Sequence, residues 1–190
     1  MISALVTASK FFTTLSSFIT IGALLALAFL VLDKEGKLST SGSKIRSIIS
    51  ISASLWFLSS VLNILFTLAN ILGQPISGVL DPTVLQSFIF QISLGQYLFF
   101  QTVIALFVAL TSRVLTSSGY TAILLLMSLI AIAAPVFQSH SASSGSHALA
   151  IGALFIHVIA LSFWVGGVIA IALLNENDRK ISLPRFSHIA

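Results

Sequence analysis

Pro135–Leu174 reads PVFQSHSASSGSHALAIGALFIHVIALSFWVGGVIAIALL. A polar segment bearing His140 and His147 runs directly into a mostly apolar stretch, Ala148 to Leu174. As a helix rising about 1.5 Å per residue, that stretch is about 40 Å long, enough to cross the roughly 30 Å hydrocarbon core of a bilayer. His157 lies inside it, followed by Trp164 and the pair Gly166–Gly167.

The rest of the chain agrees. Of 190 residues only 9 are Lys or Arg and 5 are Asp or Glu, and 57% are hydrophobic. Mean hydropathy is +1.09. A soluble domain needs a polar exterior that this composition cannot supply. The sequence therefore predicts an all-α polytopic membrane bundle embedded in a lipid bilayer. With so few basic residues, the net charge of +4 is a topology signal and not a nucleic-acid surface. There are no cysteines and two methionines, which excludes disulfides, thiolate metal sites and iron–sulfur clusters within the chain.

Five transmembrane helices are expected, at about 11–32, 48–72, 86–110, 120–137 and 148–174. The first contains Ala26-Leu27-Ala28, a faint cleavage-like motif, but its apolar run continues to Leu32 and reads as a retained helix. In the second, Trp56, Asn63 and Asn70 recur every seven residues on one face, and the asparagines are expected to bond neighbouring helices. Asp81-Pro82 has the form of a helix start, Asp as N-cap and Pro at the first helical position. Gln86, Gln91, Gln96 and Gln101 are five apart and so do not line one face. Residues 1–174 form the transmembrane domain. Residues 175–190 form a basic tail that, from Pro184 onward, looks like the entry to a further helix of a longer protein.

Eight of the nine basic residues fall after the first, third and fifth spans, and Lys10 alone falls on the other side. The positive-inside rule then puts the N-terminus outside, the tail in the cytoplasm, and the loop with His140 and His147 on the extracytoplasmic face.

His157 lies roughly 15 Å along the helix from His147, near mid-membrane. An ionisable group at that depth is a candidate functional residue. Its face also carries Ala153, Ala160, Trp164 and Gly167, small residues that would admit a second helix or a flat cofactor. Neutral imidazole binds copper, zinc and haem iron. Against this stand bland alternatives: His157 bonded to a neighbouring helix, His140 in a solvated loop, His147 at the headgroups, Trp164, Gly166 and Gly167 as packing. His188 reads as a polar tail residue.

Gln138-Ser139-His140-Ser141, then His147, His157 and Trp164-Val165-Gly166-Gly167, together resemble the signature of the copper resistance protein D (CopD) family. Ser139 stands where that family has glycine. Leu94-Gly95-Gln96 and Arg185-Phe186-Ser187 also fit. The resemblance is closest to actinobacterial members fused to a cytochrome c oxidase assembly domain of the CtaG type. It implies copper import or resistance at the plasma membrane, with copper ion as the metal and His140, His147 and His157 as its ligands. It also implies partners such as an extracytoplasmic copper-binding protein or oxidase assembly factors.

Two other readings stay open: a b-type haem protein with His157 as axial ligand, and a non-catalytic scaffold subunit of an oxidase assembly complex. No paired carboxylates or phosphate-binding loop suggests an enzyme. A transporter should show a buried polar route. Asn63, Asn70, Gln96 and Gln101 are its candidates, and at least one is expected close to His157. A His157 facing lipid would end both the transport and the cofactor readings.

Overall fold

The computed structural model describes residues 2–30, 40–114, 117–138 and 147–189. All regular structure among them is helical: α1 (Ile2–Leu25), α2 (Thr40–Leu72), α3 (Ile76–Val79), α4 (Pro82–Gln91), α5 (Ser93–Thr111), α6 (Ser118–Ala133), α7 (His147–Leu173) and α8 (Glu176–Ile189). Five stretches are long and apolar enough to span a membrane: Ile2–Leu30, Gly42–Leu72, Ser93–Val114, Ser118–Phe137 and Leu149–Leu173.

The helix α1 is the centre of the bundle. It packs along α2 and α7 and also touches α6. Ala26 and Leu27 are fully buried just beyond it, in a π-helical turn, Ala26–Leu30, that ends the first span. Around this turn the main core gathers Ile21, Leu24 and Leu25 of α1, Ile49 and Trp56 of α2, Val108 of α5, and Leu124 of α6. The α1–α7 crossing is close because it is made by Gly22 and Gly166. A Cβ on Gly22 would overlap the Gly166 carbonyl oxygen.

Three boundaries differ from the sequence reading. The first span begins at Ile2, well before Phe11. The third span is broken: α4 stops at Gln91, Ile92 is extended (φ −107°, ψ 122°), and the spanning helix starts at Ser93. Apolar composition runs unchanged across the break, but Gly95 lets the chain fold back until its Cα lies against the Phe88 carbonyl. The Gln96 side chain then donates to the Phe90 carbonyl (2.8 Å), which α4's end leaves unpaired. Thirdly, the tail is helical from Glu176, not from Pro184, which lies inside α8. Its N-cap is Asn175, whose Oδ1 accepts from the Asp178 amide (2.8 Å).

Helix α8 folds back under the bundle. Phe186 is buried against Gly167, where a Cβ would strike its ring. The Ser182 hydroxyl donates to the Leu30 carbonyl (3.0 Å) at the π-turn. Arg179 donates to the carbonyls of Ile171 (3.2 Å), Ala172 (3.3 Å) and Leu174 (3.1 Å), closing the C-terminus of α7.

Candidate functional site

The sequence-predicted site residues fall in very different settings. His140 lies outside the described residues, and His147 is placed only as the first residue of α7. His157 is well placed along α7 but faces away from the bundle. It lines an open groove of about 600 Å³ with Ile156, Ile159, Ala160, Leu161, Phe163 and Trp164. All of these belong to α7 itself. Trp164 is 58% exposed, and Ala153 and Ala160 share the outward face. The opposite face of α7 holds Ser162, Gly166, Gly167 and Ala170 against the bundle, so Gly167 does not share the His157 face as expected. The two glycines are thus packing residues in this structure: Gly166 receives α1, and Gly167 receives Phe186.

The expected neighbour of His157 is absent. Asn63 and Asn70 lie on α2, and Gln96 and Gln101 on α5, whereas α7 packs chiefly on α1 with α6 beside it. None of the four lines the His157 groove. Asn70 is exposed and bonds no neighbouring helix among the described residues, against the expectation for it, and Gln96 is exposed as well.

Asn63 and Gln101 do meet, in a different place. A cavity of about 340 Å³ opens at the end of the bundle where α1 and α7 begin, lined by Lys10, Thr13, Thr14, Asn63, Thr67, Leu94, Leu98, Gln101, Ile132 and Pro135. The spacing explains its polarity. Lys10, Thr13 and Thr14 stand at i, i+3 and i+4 on α1, and Asn63 and Thr67 at i and i+4 on α2, so each set shares one face. Asn63 Oδ1 accepts from the hydroxyls of Ser9 and Thr67, both at 3.3 Å, joining α1 to α2 as expected for interhelical glue. The α1 stripe is a feature the sequence reading passed over. Its signal was available as three polar residues at helical spacing inside an apolar span.

Among the described residues no three His, Asp or Glu side chains converge to hold a metal ion.

A family model for the copper resistance protein D-like N-terminal domain matches residues 1–149. The chain belongs to this family. The match covers the first four spans of this copper resistance protein D-like chain and the first turn of α7, so it includes His140 and His147. His157 and Trp164–Gly167 lie beyond it and stand on their geometry alone. No curated protein and no solved structure matches the chain.

Proposed function

We propose that this protein handles copper at the plasma membrane, for import or resistance, as a carrier and not a catalyst. The observation that carries the reading is membership of the copper resistance protein D-like family across four of five membrane spans. Charge distribution supports an extracytoplasmic N-terminus, which puts His140 and His147 at the outer surface to capture copper. The donor set is nitrogen and oxygen only. It suits copper(II), or copper(I) held linearly by two imidazoles, better than a sulfur-rich copper(I) site.

The outward placement of His157 ends the expectation that it carries copper through the five-span bundle, and in this reading it works instead at the surface of α7. A polar imidazole facing hydrocarbon is unfavourable. Its groove, which Ala160 also lines, leaves room for a helix that supplies the second ligand and covers the site. Such a helix would come from an oxidase assembly domain or a partner subunit. A b-type haem fits less well, because α1–α6 contain no histidine to serve as the second axial ligand.

Metal analysis and a visible spectrum of the purified protein, beside a His140→Ala/His147→Ala/His157→Ala variant, test the proposal. Copper bound by the first and lost from the second supports it. A Soret band lost with His157→Ala alone replaces it with the haem reading. Neither metal nor haem in a folded sample, with copper tolerance unchanged by His157→Ala, leaves the scaffold role.

A further inference from the structure

The cavity between α1, α2 and α5 gathers two residues expected on a copper route, Asn63 and Gln101, but shares no lining residue with the His157 groove. Among the described residues that line the cavity there is no histidine, carboxylate or sulfur, and the one charged side chain is Lys10. The oxygens the cavity offers are neutral, and the Lys10 ammonium beside them disfavours a bare metal cation.

Its walls carry unused hydrogen-bonding capacity. Thr13 is 4% exposed, and its hydroxyl has no partner among the described residues. Gln101 is 5% exposed, and no described residue bonds its amide. Asn63 is 4% exposed and commits its Oδ1 to Ser9 and Thr67, so its remaining capacity is the two Nδ2 hydrogens. Buried polar groups without partners are rare and mark a bound water, ion or ligand. The Thr13 hydroxyl is such a group, and the amides of Asn63 and Gln101 add spare hydrogen-bonding capacity from two more helices. The amide nitrogens and the Lys10 ammonium donate, and the hydroxyls of Thr13 and Thr14 can do so too. No carboxylate among the described residues lines the cavity to oppose them.

We propose that this cavity is a binding site for a small oxyanion, a phosphate or carboxylate group, with Lys10 as its counter-ion. Asn63, Gln101 and Thr13 donate to its oxygens in this site. The volume is several times that of a water, whose share of liquid is about 30 Å³, so a phosphate group with bridging waters fits. Lys10 lies about 12 Å along α1 from its first residue, within reach of the membrane surface for a flexible side chain. The group can therefore arrive free from solution or on a lipid headgroup.

The test uses the full chain in phosphatidylcholine nanodiscs. Thermal unfolding is followed as sodium phosphate or sodium acetate replaces sodium chloride at constant ionic strength. A second arm replaces a fraction of the lipid by phosphatidylglycerol, and lipid retained through delipidation is identified by mass spectrometry. Saturable stabilisation by phosphate or acetate identifies a free oxyanion. Stabilisation by phosphatidylglycerol alone, with that lipid retained, identifies the headgroup. In either case Lys10→Gln should weaken binding about tenfold or more, and the isosteric Thr13→Val roughly two- to tenfold. Thr13→Val also guards against a folding artefact. If water alone fills the cavity, removing an unpartnered hydroxyl leaves the protein equally or more stable and no anion dependence is seen. That result, or equal anion responses in wild type and both variants, overturns the proposal.

Discussion

Substituting Gly22 by alanine tests the crossing that sets α7, and with it the His157 groove, against the bundle. The new methyl group would overlap the carbonyl oxygen of Gly166. That oxygen belongs to the backbone of α7, which is helical throughout this region, so it cannot rotate away and the helix must move as a unit. At Gly167 the obstacle is instead the ring of Phe186, a side chain on α8. Overpacking a close contact costs about 1–3 kcal/mol. The backbone obstacle places Gly22→Ala near about 3 kcal/mol, and the movable ring places Gly167→Ala near about 1 kcal/mol. For a chain of this size, roughly 2–4 °C per kcal/mol converts these to Tm losses of roughly 6–12 °C and 2–4 °C. Thermal unfolding of the two variants in one detergent measures both, and adding Phe186→Leu to Gly167→Ala should recover part of the smaller loss. A Gly22→Ala variant as stable as wild type, or less affected than Gly167→Ala, would refute the close α1–α7 crossing.

Three further outcomes follow from single contacts. Asn63→Ala removes the acceptor shared by Ser9 and Thr67 and should cost about 0.6 kcal/mol, at most about 1.7, in a denaturant titration of the reconstituted protein. Gly95→Ala should drive α4 off α5, because its methyl would overlap the Phe88 carbonyl; faster amide exchange in Pro82–Gln91 than in wild type is the expected sign. Asp81 accepts from the Thr83 hydroxyl, which is the main cause holding its carboxyl below the usual carboxylate range, and from the Thr83 amide. A depressed folded-state value means its capping of α4 is full above the ordinary carboxylate range and fades as pH falls through the lower folded value. Protection of the Thr83 amide, its exchange rate taken against the intrinsic rate at each pH, should fall as pH drops through that acid window in wild type and show no such step in Asp81→Ala.

The spans were legible because composition alone distinguishes a membrane chain. A soluble fold has little use for several apolar runs each long enough to cross a bilayer. Local chemistry was legible too: Asp81 caps α4, and Asn63 bonds across helices. What was hidden is facing. In water a helix announces its buried side by hydrophobic periodicity, but in lipid the outside is as apolar as the inside. Ala148–Leu174 is apolar all round, so nothing in it says that Gly166 turns inward and His157 outward. The polar residues carry what signal there is: Ser9, Thr13, Ser16, Ser17 and Thr20 mark the buried face of α1, just as Asn63 does for α2. The break at Ile92 and the early start of α8 were hidden for a related reason. One depends on a glycine admitting a distant carbonyl, the other on an Asn175 cap that a charged tail disguises.

The outward placement of His157 makes stability and function pull in opposite directions, and His157→Leu separates them. On the α7 surface the imidazole has no bond to any described residue and faces a region meant for hydrocarbon. Leucine there removes a polar group from an apolar solvent and keeps a similar volume. Without copper, the purified variant should unfold at a higher temperature than wild type. If His157 serves copper through a helix outside the five spans, cells carrying the same variant should lose copper tolerance at equal expression. A gain in stability with a loss of tolerance is the pattern of a residue retained for function against the interest of the fold. A drop in stability would mean that His157 is bonded within the bundle and that its outward placement is wrong. A gain in stability with tolerance intact would keep the geometry and remove His157 from the copper reading, leaving His140 and His147 to carry it.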